Sequence, residues 1–229
     1  PEDLKGIQYL PDKLKDKIPG FSSVNLAQVK LEDAERLALI RQQLQAPNTV
    51  ELRLQNDILI VTGTAPAAWI NSLKQKSALL QPPLSLTTND KNRRLESNEW
   101  LQAIAIQQEL DGVSFYFSED TDLNAAEQGR LQTQLDKVRQ LLILLAAIKA
   151  DAKFVVTGYT DATGNVVINQ SLRLKRAETI KQELVKVGLS PSAISTVIGR
   201  NADGIDETNT LLKRADLEVK LVRPDLLSK

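Results

Sequence analysis

Hydrophobic and polar positions change period along the second half of the chain in a sequence of clear steps. Val113, Phe115 and Phe117 alternate with Ser114 and Tyr116, the period of a half-buried strand. Leu131, Leu135, Val138, Leu142 and Leu145 then recur at spacings of four and three, a stripe along one side of a long helix. Phe154-Val155-Val156 is a short β-branched run that reads as a buried strand. Ile180, Leu184 and Val187 continue the apolar face of a further helix, stopped by Gly188 and Pro191. Ile194 to Ile198 predicts another strand, and Asn201 to Thr210 a polar loop. Leu217, Val219 and Leu221 alternate with Glu218 and Lys220 in the last strand. This self-contained run predicts that residues 112 to 223 form a mixed sheet with helices on one face.

The first half is patterned differently. Leu10-Pro11 to Lys17 predicts a short helix and Phe21 to Leu26 a strand. Leu31 to Gln45 predicts a helix from Leu31, Ala34, Leu37, Ala38 and Leu44, with Glu32, Asp33 and Glu35 in the first turns where the helix dipole favours anions. Val50, Leu52 and Leu54 alternate with Glu51 and Arg53, Gln55-Asn56-Asp57 turns the chain, and Ile58 to Thr62 returns. Pro66 opens a helix carrying Trp69, Ile70 and Leu73. Pro82-Pro83 stops it, and Leu84 to Thr87 is a last strand. Asn89 to Asn98 is polar throughout and reads as a linker or loop. Glu99 to Leu110 predicts a helix with Trp100, Leu101, Ile104 and Ala105 inward.

Composition narrows the chemistry. With 29 basic and 29 acidic residues the net charge is zero, which argues against a nucleic-acid partner. There is no cysteine and no histidine, so disulfides, thiolate chemistry, Ser-His-Asp and Cys-His catalysis and His/Cys zinc sites are excluded. No cofactor or metal is expected. Cysteine-free composition fits an oxidising periplasm. The longest apolar run, Leu141 to Ile148, is far short of the ~20 residues of a membrane span. A chain that opens on Pro1 and holds no methionine reads as a processed protein or an excised fragment, with an anchor or signal expected upstream.

The candidate chemistry sits in Gly158 to Ala177, GYTDATGNVVINQSLRLKRA. Polar residues at the end of a buried strand are where an open α/β sheet places a ligand site. Thr160 and Asp161 lie in the turn; Asn169, Leu172, Arg176 and Ala177 follow on the helix. A cationic fork and a carboxylate at the mouth of one turn suit a ligand carrying both charges. The competing expectation is that Asp161 and Arg176 pair with each other on an exposed surface, worth only about 0–1 kcal/mol. Tyr159 and Leu172 are expected to pack, and Arg173 and Lys175 to lie on a solvated helix face. Ser171 with Lys175, or Asp161 with Glu178, lack the motif context of a catalytic pair, and no enzyme is expected.

The same stretch resembles the C-terminal domain family of outer-membrane protein A (OmpA-like). That pattern runs Gly, His or Tyr, Thr, Asp, two variable, Gly, four variable, Asn, two variable, Leu, Ser, two variable, Arg, Ala. Gly158, Tyr159, Thr160, Asp161, Gly164, Asn169, Leu172, Arg176 and Ala177 meet it without a gap, and Arg173 stands where the family usually has Ser. At the entry to the last strand the family's Asn-Arg-Arg is matched by Leu212-Lys213-Arg214. The resemblance covers residues 112 to 223. It implies a βαβαββ sheet and noncovalent binding of peptidoglycan through the diaminopimelate of the stem peptide. Asp161 would take its ammonium and Arg176 its carboxylate, with Thr160, Asn169 and Arg214 completing the ligand-binding set. A periplasmic protein, held to a membrane through a segment outside this chain, is implied with it. Residues 31 to 88 more weakly resemble the BON domains of bacterial envelope proteins.

The chain is therefore expected to be α+β, with two α/β sandwich domains. Residues 1 to 88 form a BON-like unit, 89 to 111 a polar linker and helix, and 112 to 229 the wall-binding unit. Another envelope protein is the expected partner of the first unit. The alternative function is a protein-interaction or membrane-associating envelope module with a degenerate OmpA-like domain.

Overall fold

Asn56 and Asp57 both take positive φ (49° and 60°), the two-residue turn that matches the twist of a hairpin. They join β1 (Val50–Gln55) to β2 (Ile58–Ala65), paired antiparallel with Gln55 opposite Ile58. The structure is a computed structural model that describes residues 33–80, 84–90, 93–161, 165–199 and 212–223. The expected helix at 10–17, the strand at 21–26, Pro82-Pro83, the motif's Gly164 and the loop at 201–210 lie outside the described residues.

Helix α1 (Asp33–Leu44) precedes the hairpin and α2 (Ala67–Ala78) follows it, with Pro66 as its N-cap. Strands β3 (Ser85–Thr87) and β5 (Arg93–Ser97) both run parallel to β2, β3 along its first half and β5 along its second, while β4 (Asn89–Asp90) pairs with β5. The helix, two strands, helix and strand expected for residues 31–88 are present in that order. The polar stretch 89–98, expected as linker or loop, instead supplies two strands. Leu95 enters the core, Ser97 is fully buried, and Arg93 and Arg94 stay exposed. Alternation with one apolar residue is enough here because β2 provides the ladder and Ile40, Leu44, Leu59, Val61, Ile70 and Leu73 the core.

Ser97 then caps α3 (Asn98–Leu110), its hydroxyl accepting from the Trp100 amide at 2.9 Å. Trp100, Ala103 and Leu110 face inward; Leu101, expected inward, is 44% exposed, and Ala105 is exposed as well. This helix packs into the second core. The amide and carbonyl of Val219, on the last strand, are satisfied by Asp111 Oδ1 (2.9 Å) and Gln107 Nε2 (2.8 Å). Those two side chains continue a strand edge that β6 has left, at the point where an unpaired backbone would be costly.

The second unit follows as β6 (Val113–Tyr116), α4 (Ala125–Ile148), β7 (Asp151–Gly158), α5 (Val166–Lys186), β8 (Ile194–Ile198) and β9 (Arg214–Val222). This is the expected βαβαββ order. Strand order is β6-β9-β7-β8, with only the β7–β8 pairing parallel. Phe154, Val156, Ala215, Leu217 and Val219 face the helices. From α4 the core takes Leu131, Leu135, Val138, Leu141, Leu145 and Ile148, each worth about 1.5–3 kcal/mol when fully buried. Leu141 replaces the expected Leu142, which is only partly buried. The chain is α+β, with two α/β units and two cores.

Candidate functional site

Gly158 closes β7 directly against α5. A Cβ at this position would stand 1.9 Å from the main-chain oxygen of Arg173, so only glycine permits this approach of helix to strand end. Tyr159, Thr160 and Asp161 therefore leave the sheet alongside the helix, and arginines on its facing side reach back to them.

Arg176 is 1% exposed. Its Nε donates to the main-chain oxygen of Asp120 at 2.5 Å and its Nη1 to that of Tyr159 at 2.8 Å. The guanidinium lies 5.4 Å from the centroid of Phe117. Asp120 takes a positive φ (31°), uncommon for a residue with a side chain. Burial lowers the Arg176 pKa, and the charges of Asp161 and Asp120 work against that shift. The group remains cationic, as guanidinium does in proteins. The competing expectation has Arg176 in an exposed pair with Asp161; its position at the inner face of α5, one residue before the fully buried Ala177, places it inside instead.

Thr160 is buried too, its Oγ1 accepting from Arg173 Nε at 2.9 Å. Arg173 Nη1 also donates to the Gly199 carbonyl at 3.1 Å, tying the end of β7 to the residue after β8. The solvated position expected for Arg173 is thus corrected. It lies one turn before Arg176 and shares the face that meets the strand ends, while Lys175 is exposed. Asn169 Nδ2 donates to the main-chain oxygen of Asp161 at 3.4 Å. Arg214 stacks 4.6 Å over the Tyr159 ring and its Nε lies 2.9 Å from Asp216 Oδ1. Tyr159 in turn occupies the space that a Cβ on Gly199 would need, 2.4 Å from its ring.

A cavity of about 350 Å³ opens among these residues, lined by Glu119, Asp120, Thr160, Asp161, Leu172, Arg176 and Lys213. Of the sequence-predicted set it brings together Asp161, Arg176 and Thr160. Asn169 braces the turn from behind, and Arg214 sits on Tyr159. Lys213 is the member of the Lys213-Arg214 pair that lines the cavity, its Nζ 3.9 Å from Asp161 Oδ2. Sequence reasoning missed Glu119, Asp120 and Lys213; the run Ser118-Glu119-Asp120, one residue after β6, was the available signal.

Residues 118–216 match the OmpA family. They form an OmpA-family domain. Among solved structures the chain is similar to the peptidoglycan-associated lipoprotein from Burkholderia pseudomallei, at 25% identity and TM-score 0.37, covering 47% of this chain and 89% of that one. It is similar to the OmpA-like domain of FopA1 from Francisella tularensis at 19% identity and TM-score 0.34, covering 48% and 74%. The C-terminal domain of Helicobacter pylori MotB follows at 18% identity and TM-score 0.36, covering 49% and 86%. No curated protein matches the chain. Among the described residues of the OmpA-family domain and the unit before it, no helix is long and apolar enough to cross a membrane.

Proposed function

We propose that the OmpA-family domain binds peptidoglycan noncovalently, taking the diaminopimelate of the stem peptide at the Asp161–Arg176 cavity and holding an envelope protein to the cell wall. The observation that carries this reading is that a carboxylate and a guanidinium, Asp161 and Arg176, line one cavity of about 350 Å³. Diaminopimelate presents an amine and a carboxylate on one side-chain end, so each protein charge has a ligand group to face. The family match over residues 118–216 supports the same assignment.

Each charge-assisted bond contributes about 1.5–3 kcal/mol, and immobilising the ligand offsets part of it, so single-site affinity is modest. Many sites on one polymer raise the effective affinity. The role is binding rather than catalysis, in the periplasm, with membrane attachment through a segment outside this chain. The unit at residues 33–97 is assigned contact with another envelope protein.

Titration of a diaminopimelate-containing muropeptide, beside retention on purified sacculi, tests this proposal. Saturable binding that Asp161→Ala weakens roughly thirtyfold is expected. Equal binding by wild type and Asp161→Ala would overturn it.

A further inference from the structure

The two charges of the cavity are held in unlike ways. Arg176 donates to two neutral main-chain oxygens, of Asp120 and Tyr159. Asp161 has a full cation beside it, Lys213 Nζ at 3.9 Å from Oδ2, with the side chains 33% and 18% exposed. The Lys213 main chain is fixed: its carbonyl accepts from the Phe117 amide at 2.7 Å, and the next carbonyl, of Arg214, accepts from the Tyr159 amide at 2.8 Å. Its ammonium is not fixed in the same way, since it ends a flexible four-carbon stem.

Resting on the diaminopimelate reading, we propose that Lys213 is an internal competitor for the ligand's ammonium. Binding exchanges one ammonium for another at Asp161, and Lys213 lowers the affinity for a ligand that carries a free ammonium. The cavity wall carries Glu119, Asp120 and Asp161 against Arg176 and Lys213. Among the described lining residues, removing Lys213 leaves three carboxylates and one cation, which favours an incoming ammonium. A ligand whose amine is acylated brings no cation to take Lys213's place. Lys213 thereby narrows the site's preference for the free over the acylated diamino acid, the acylated form being the one a cross-linked stem presents when its amine is the acyl acceptor.

The test titrates a free-amine diaminopimelate muropeptide, and the same compound N-acetylated at that amine, into wild type, Lys213→Ala, Lys213→Gln and Asp161→Ala chains. A pair this exposed is worth about 0–1 kcal/mol, so both Lys213 variants are expected to bind the free-amine compound up to about fivefold tighter. The N-acetylated compound should gain nothing. Lys213→Gln keeps most of the stem, so agreement of the two variants assigns the effect to charge. Weaker binding by both variants would mean that Lys213 contacts the ligand, and unchanged binding that it does not compete; either overturns the inference while the loss in Asp161→Ala leaves the diaminopimelate reading intact. Equal binding by wild type and Asp161→Ala would instead remove that reading, and this inference with it.

Discussion

Arg176 Nη1 donates to the main-chain oxygen of Tyr159 across 2.8 Å, so the cation proposed to hold the ligand also closes the turn that carries Asp161. The two charged residues are therefore expected to differ on mutation. Arg176→Ala withdraws the donor from two carbonyls, at about 1–3 kcal/mol for each acceptor left unsatisfied, and should lower stability by about 2–4 kcal/mol. Asp161→Ala removes a partly exposed pair with Lys213, a contribution of about 0–1 kcal/mol, and should cost less stability than Arg176→Ala. Both should weaken muropeptide binding, Asp161→Ala by ~2 kcal/mol or roughly thirtyfold. Melting curves recorded beside titrations separate the effects; equal destabilisation by both substitutions would contradict the packing described.

Arg173→Ser restores the residue type that the family pattern carries at this position. It removes the bonds to Thr160 Oγ1 and the Gly199 carbonyl. A stability loss of about 1–2 kcal/mol is expected, with muropeptide affinity changed less than threefold. A large affinity loss without destabilisation would make Arg173 a ligand contact.

Gly158→Ala should be among the most damaging single-methyl additions in the domain. The new Cβ would meet the Arg173 main-chain oxygen at 1.9 Å, and backbone cannot yield as a flexible side chain does. The loss is expected at or beyond the upper end of the ~1–3 kcal/mol that overpacking costs. A variant that melts within a degree of wild type would show that α5 slides away freely.

Where the domain begins can be tested by truncation. The sequence pattern sets the start at Gly112, but Trp100, Ala103 and Leu110 belong to the same core as Phe154 and Leu217. A fragment of residues 97–223 is expected to unfold cooperatively. One of residues 112–223 loses three core side chains and the Asp111 and Gln107 bonds to Val219, and should show a broadened or absent transition. Identical melting of the two fragments would return the boundary to residue 112.

These contrasts mark what a sequence reader can and cannot see. The strand–turn–helix at Gly158 to Ala177 was legible because nine matched residues fall at fixed spacing. The order of elements in the second unit was legible because each has its own apolar period. β5 was not, since Arg93 and Arg94 are exposed, Glu96 is half-buried and Leu95 is the strand's one apolar residue. The burial of Arg176 and Arg173 was hidden for another reason. An arginine on the polar side of a helix looks solvated until the partner element is known, and here the partners are main-chain carbonyls and the Thr160 hydroxyl, which no side-chain periodicity records. Lys213 was visible only as a conservative match in a motif, because its meeting with Asp161 joins positions separated by 52 residues in the chain (213 minus 161).

The placement of β9 between β6 and β7 has a consequence for synthesis. A nascent chain that has reached residue 213 possesses β6, β7 and β8 but lacks the strand to which β6 and β7 must both pair. Phe115, Phe154 and Val156 then have their helices without a closed sheet beneath them. The sheet can thus close only once residues 214–222 are available to it, and until then the open strand edges of β6 and β7 must be kept from pairing with another chain.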